Sequence, residues 1–163
     1  MIYSYYLSLG SNIGQKLSYL KKALKKLNEI GSIKRKSTIY QSKAWGYKDQ
    51  PDFFNGMVEY QSKLCPEKLL VKIKEIEHEI GRRNTGRWRQ REIDIDIIFC
   101  KGITVNKSEL HIPHKEFDKR LFVLVLMAEL DESYVVEGTN KTIKYFLRNC
   151  PDKLQPVRVD LQW

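Results

Sequence analysis

Two segments repeat their apolar residues at helical spacing, and each is flanked by segments that alternate at period two, an order that few folds accommodate. The first carries Leu17, Leu20, Ala23, Leu24 and Leu27 at intervals of three and four, with lysines on the opposite face and Gly31 just past its end. The second starts near Pro66, suited to a first turn, carries Leu69, Leu70, Ile73, Ile76 and Ile80 inward, and ends at Gly81. Before the first helix, Ile2 to Leu9 alternates Tyr3, Tyr5, Leu7 and Leu9 against Ser4 and Ser8, which predicts a strand. Gly10-Ser11-Asn12 follows, combining turn chemistry with helix capping.

Ser32 to Tyr40, rich in β-branched residues, is expected to be one strand, and Phe53 to Gln61 another. The connection from Ser42 to Asp52 fits neither element and is long enough to be functional. Ile93 to Phe99 reads as a central strand, with a third helix from about Asp118 to Leu130 and a short one near Thr142 to Arg148. The resulting order, β-α-β-β-α-β, predicts an α+β fold: a ferredoxin-like core with an antiparallel sheet and added C-terminal strands and helices. No repeat, low-complexity stretch or linker interrupts residues 1–163, so a single domain is expected.

With 42% hydrophobic and 30% charged residues, the chain suits a globular fold rather than a disordered one. No apolar run approaches the roughly 20 residues that span a bilayer, and Met1 to Tyr6 lacks the basic start of a signal peptide. A cytoplasmic protein with no membrane partner is therefore expected, and a monomer with no nucleic-acid partner is expected as well. Cys65, Cys100 and Cys150 are widely spaced without a Cys-x-x-Cys pair, which suggests neither a disulfide framework nor a zinc site.

The formal charge of +9 favours anionic partners, and its distribution narrows the choice. Arg82, Arg83, Arg87, Arg89 and Arg91 lie between Gly81 and Arg91 with no acid among them, leaving +4 for the rest of the chain. That cationic segment runs directly into Ile93-Asp94-Ile95-Asp96-Ile97. Residues two apart on a strand share a face, so Asp94 and Asp96 present paired carboxylates while Ile93, Ile95 and Ile97 enter the core. Alone, such a pair fits the solvated side of an amphipathic strand, and such arginines fit a nucleic-acid contact or a solubilising surface. Together they fit phosphoryl transfer, where magnesium and guanidinium groups neutralise charge on the transferred phosphates and arginine holds phosphate oxygens bidentately.

Arg87-Trp88, Arg91 and Ile93-Asp94-Ile95-Asp96-Ile97 resemble the signature of 6-hydroxymethyl-7,8-dihydropterin pyrophosphokinases, R-W-G-P-R-x-x-D-x-D-[IL]. Similar stretches occur in order at Leu9-Gly10-Ser11-Asn12, Asp49 to Asn55, Gly81-Arg82, and Ile112-Pro113-His114 with Arg120 and Phe122. The resemblance implies transfer of the β,γ-diphosphate of ATP to the pterin hydroxymethyl group, with release of AMP, as a step of folate biosynthesis. It implies two Mg2+ ions on Asp94 and Asp96, and Arg82 and Arg91 around the β-phosphate. It further implies His114 and Arg120 on the ATP phosphates, with Glu77 near the nucleotide and Trp88 on a closing loop over both substrates. For the pterin it implies stacking by Phe53 and Phe122, edge recognition by Asn55, backbone groups near Ser42 and Ala44, and Trp45 as a lid. Read by themselves, the phenylalanines suit a core, Asn55 a bulge, His114 a structural turn and Glu77 a solvated helix face.

The chain departs from the pattern at Arg89-Gln90, in place of Gly-Pro, at Asn84, at Lys43-Ala44, in place of two prolines, and at Lys115, in place of an aromatic. A catalytically weakened relative that binds ATP or pterin is one alternative these departures raise. A basic ferredoxin-like RNA-binding domain is the other, and it would need aromatics where the central strand carries aspartates.

Overall fold

The computed structural model describes residues 1–44, 49–83 and 90–163. In chain order the elements are β1 (Tyr3–Ser11), α1 (Lys16–Ile30), β2 (Ser32–Lys36), β3 (Ile39–Ser42), β4 (Phe53–Ser62), α2 (Pro66–Ile80) and β5 (Asp94–Cys100). There follow β6 (Val105–Asn106), β7 (His111–Ile112), α3 (Leu121–Asp131), β8 (Val135–Val136), β9 (Lys141–Thr142), α4 (Ile143–Arg148) and β10 (Val157–Val159). The main sheet runs β10-β3-β4-β1-β5, with β2 also pairing β4, and every pairing is antiparallel. This is the ferredoxin-like arrangement expected from the order of elements. No helix among the described residues is long and apolar enough to cross a membrane.

Local chemistry altered five sequence expectations. Ser32 to Tyr40 is two strands, because Ser37 turns its backbone N–H to the Met57 carbonyl at 2.9 Å and accepts the Met57 N–H on its Oγ at 2.9 Å. Thr38 then gives its N–H and Oγ1 to Glu129 of α3, both at 2.7 Å. Asn12 is not a helix cap, since β1 runs through Ser11 and α1 begins after Gln15 without a side-chain capping bond. Gly31 is extended, at φ −176° and ψ −155°; its missing side chain makes room for Tyr60, whose hydroxyl would lie 2.2 Å from a Cβ there. β5 is not central but ends the strand order, and on its outer side the His114 N–H donates to Ile98 O at 2.9 Å. The third helix also starts later than expected, at Leu121, whose N–H is taken by the Asp152 carboxylate at 3.1 Å after a 3-10 turn at Phe117–Lys119.

The sheet's two faces are covered unequally, and this creates the site. Tyr5, Leu7, Leu9, Val58, Tyr60, Ile95 and Ile97 pack in one cluster with Leu20, Leu27, Leu69 and Ile73 of α1 and α2. On the opposite face, Tyr6, Met57 and Ile98 pack beneath Leu124 and Met127 of α3 and Ile143 of α4. By the period of two, the same face continues as Ser8 beside Asp96, then Gly10 between Asn55 and Asp94. There apolar side chains give way to polar ones.

Candidate active site

Those rows floor a cavity of about 430 Å³ whose wall is completed by Arg91, His114, Arg120 and Phe122. Ser42 and Phe53, where β3 and β4 face each other, lie at one end. A Cβ at Gly10 would come within 2.8 Å of Asn55 Oδ1 and 3.3 Å of the Phe53 ring, so glycine there lets both lie close to the strand. Asn55 is 3% exposed, and its Nδ2 donates to Ser42 Oγ at 2.7 Å.

At the other end, Asp94 receives two guanidinium groups: Arg82 Nη1 at 2.8 Å and Arg91 Nη1 at 2.5 Å. Burial alone would push the Asp94 carboxyl up, but the Arg91 and Arg82 charges outweigh it and hold the group below the ordinary carboxylate value of 3.8. Among the described residues, Asp96 takes no hydrogen bond or ion pair, and burial together with the Asp94 charge pushes its carboxyl up. Two neighbouring carboxylates are thus driven apart, one compensated by arginine and one left open. His114 presents Nδ1 as an acceptor to the Glu116 N–H at 3.2 Å, which in a neutral ring leaves the proton on Nε2. Burial lowers the pKa of this imidazole, partly opposed by the Asp96 charge.

Glu77 is not on the solvated face of its helix. It is 2% exposed, with Oε1 accepting the Ile95 N–H at 2.7 Å and Oε2 meeting Arg82 at 2.7 Å and Lys74 at 3.0 Å. Arg82 therefore forks between the end of α2 and the strand carrying both aspartates. Gly81 has φ 110°, a left-handed conformation that allows the turn and lets the Arg82 N–H return to the Glu77 carbonyl at 3.0 Å.

A family model described as 7,8-dihydro-6-hydroxymethylpterin-pyrophosphokinase (HPPK) matches residues 6–132, from β1 through α3. The chain belongs to this family. It is 40% identical over 141 residues to an HPPK of Aquifex aeolicus, covering 86% of this chain and 88% of that one. A Haemophilus influenzae HPPK is 32% identical over 156 residues, with 93% and 98% covered. Among solved structures, Plasmodium falciparum HPPK-DHPS with pterin and p-hydroxybenzoate superimposes with a TM-score of 0.72 at 17% identity, a likeness of fold. It takes in 91% of this chain, which spans only 42% of that longer one.

Of the positions singled out in the sequence, Ser42, Phe53, Asn55, Arg91, Asp94, Asp96, His114, Arg120 and Phe122 line one cavity. Arg82 joins them through Asp94, Glu77 lies buried behind the strand, and Ala44 is not among the lining residues. Trp45 and Trp88 lie outside the described residues, as do Asn84, Arg87 and Arg89. Sequence reading missed Ser8, Gln50, Lys74 and His111, which also line the cavity. The first carries a signal in retrospect, since it is a serine on the face of β1 that Tyr6 continues. Lys43 and Lys115, noted as departures, also line the cavity, with the Lys43 ammonium on Asp52 at 3.0 Å.

Proposed function

We propose that the chain transfers pyrophosphate from ATP to the hydroxymethyl group of 6-hydroxymethyl-7,8-dihydropterin, giving AMP and the pterin diphosphate, as a cytoplasmic, monomeric, magnesium-dependent enzyme. The observation that carries this reading is the convergence on one cavity of two carboxylates and two arginines at one end, and Asn55, Phe53 and Phe122 at the other. Ferredoxin-like RNA binding is not favoured, because carboxylates floor the open part of the sheet. The presence of Arg82, Arg91, Asp94, Asp96 and His114 supports turnover over mere binding.

The donor set fits magnesium. Asp94 and Asp96 are hard oxygen ligands on one strand face, and among the described residues no third His, Cys, Asp or Glu joins them in a cluster. A magnesium site of one or two carboxylates completed by substrate phosphates has this form. When bound, the metal would neutralise charge on the phosphate oxygens. Arg82 and Arg91, each holding Asp94 in the free protein, can turn a guanidinium to the β-phosphate under attack. The neutral His114 offers Nε2–H to a phosphate oxygen, and Asn55 offers its amide to the pterin edge. Phe53 and Phe122 give the ring apolar surface.

A coupled assay for AMP release tests the proposal. AMP should form only with ATP, magnesium and the pterin together and cease when magnesium is chelated; AMP formation without the pterin, or none with all three, would overturn it. Acid should weaken nucleotide binding early. A metal ligand must be deprotonated, and Asp96 titrates above its ordinary value of 3.8. As pH falls, the affinity advantage of the native chain over Asp96→Asn for magnesium and a methylene-bridged ATP analogue should shrink before ordinary carboxylates protonate. Calorimetry across pH checks this; a native chain with no advantage over Asp96→Asn at neutral pH would exclude Asp96 from the metal.

A further inference from the structure

Residues 150–163 lie beyond the stretch that the family model matches, yet they brace both walls of the cavity at its Asn55 end. One wall is Phe122. The Asp152 carboxylate accepts the N–H of Leu121, the residue before it, at 3.1 Å, and with its other oxygen the N–H of Leu154 at 2.9 Å. The other wall is β3 against β4. Val157, Arg158 and Val159 of β10 pair with Gln41, Tyr40 and Ile39, so β3 has a partner on each side.

Trp163 closes this segment onto the sheet. It is 9% exposed, its indole N–H donates to Ser37 O at 2.8 Å, and Lys36 donates to its backbone oxygen. A Cβ at Gly56 would overlap the Trp163 ring, so the indole rests directly on the β4 backbone next to Asn55. By the period of two, Gly56 faces away from the cavity while Asn55 faces into it. Indole and cavity thus lie on opposite sides of one strand.

These contacts fix the direction of one amide. Asn55 Nδ2 donates to Ser42 Oγ at 2.7 Å, and Ser42 ends β3, where Tyr40, Gln41 and Ser42 stand opposite Asn55, Phe54 and Phe53. With β3 in place, the polarity that Asn55 presents to a flat ring edge is set before the ring arrives. A strand of four residues paired on one side alone holds its register weakly, and β10 and Trp163 supply the rest. The carboxylate end is remote from them. β4 and β1 stand between β3 and β5, and among the described residues no hydrogen bond of residues 150–163 reaches α2 or β5.

We propose that Trp163 is a positioning residue for the pterin: through β3 and the Gly56 backbone it sets the Ser42–Asn55 pair that reads the ring edge, and it leaves the ATP end untouched. The inference rests on the substrate reading above.

The experiment is steady-state kinetics of AMP release by the full chain and by Trp163→Leu, with ATP and the pterin varied in turn. The variant keeps an apolar side chain for the core but loses the donor to Ser37 O and the flat contact with Gly56. The pterin KM should rise about tenfold, as for one oriented hydrogen bond lost, while the ATP KM stays within about twofold and kcat within about threefold of native. A purely structural role predicts the reverse split, since a partly unfolded enzyme loses apparent kcat and keeps both KM values. A pterin KM within about twofold of native, or an ATP KM raised as far as the pterin KM, would overturn the proposal. Should the variant fail to fold, the native chain decides. Adding the pterin to the chain already holding magnesium and a methylene-bridged ATP analogue should slow hydrogen exchange at the Trp163 indole N–H by about threefold or more, and an unchanged indole would overturn the proposal. If the native chain forms no AMP and binds neither ligand, the substrate reading fails as well; if it turns over while Trp163→Leu keeps the native pterin KM, only the role of Trp163 is lost.

Discussion

Asp96→Ala is expected to lower kcat by about 10³-fold or more, a loss of about 4 kcal/mol of transition-state stabilisation, while leaving thermal stability unchanged or raised. The two halves of this prediction share one cause. Asp96 projects from β5 into the cavity with no hydrogen bond or ion pair among the described residues, and burial and the Asp94 charge both penalise its ionised form. Folding gains nothing from such a carboxylate; a phosphate-bound cation would. Removing it relieves repulsion in the free protein and removes charge compensation where phosphate charge develops, the trade between stability and activity typical of active sites. Steady-state kinetics and a melting curve of one variant check both halves. Turnover within tenfold of the native chain would exclude Asp96 from the chemistry, and a collapsed melting temperature would mean that its role is structural.

Glu77→Ala is expected to fail in the opposite order, in stability first. The substitution strips the Ile95 N–H and Arg82 of a buried acceptor. Breaking such a buried charged contact costs about 3 kcal/mol, or roughly 6–12 °C in Tm for a chain of this size. Turnover should also fall, by about 10²-fold, because Arg82 loses the anchor that aims it at Asp94 and the phosphates. Glu77→Gln separates the effects, since its amide oxygen can keep the Ile95 bond while its nitrogen faces Arg82 and Lys74. Burial pushes the Glu77 carboxyl up despite Lys74 and Arg82, so ionising it costs stability increasingly as pH rises through its folded-state pKa. Glu77→Gln removes that cost and should lose only about 1 kcal/mol of stability, while its kcat falls as in Glu77→Ala. Equal melting temperatures for Glu77→Ala and the native chain would remove Glu77 from the core of the site.

Most of the architecture was legible because it rests on periodicity. The spacing of Leu17, Leu20, Leu24 and Leu27, and of Leu69, Ile73 and Ile76, needs no partner to be read as a buried helix face, and period two places Asp94 and Asp96 on one side of β5 wherever that strand lies. Those patterns, with the arginines beside them, also named the phosphate end. Periodicity carries no information about which strand neighbours which. An apolar strand covered on both faces reads the same at the edge as in the middle, so β5 looked central. The break at Ser37-Thr38 was hidden for a related reason, since it is made by Met57 and by Glu129, both far away in sequence.

Polar residues near the site were the least legible. Asn12 carries the same local signal as a helix cap, and Glu77 the same as any solvated helix glutamate. What separates a cap from a buried clip, or a surface acid from an anchor, is the identity of groups 38 or 79 residues away for Asn12 and 18 away for Glu77. The sequence by itself determined which faces are apolar, where charge concentrates and which residue types are present for phosphoryl transfer. Only the tertiary structure decided that one sheet face stays uncovered beyond Tyr6 and Met57, and that Arg82 and Arg91 meet on Asp94 there while Asp96 is left without either. Burial and long-range hydrogen bonding depend on the packed neighbours, which local spacing does not encode.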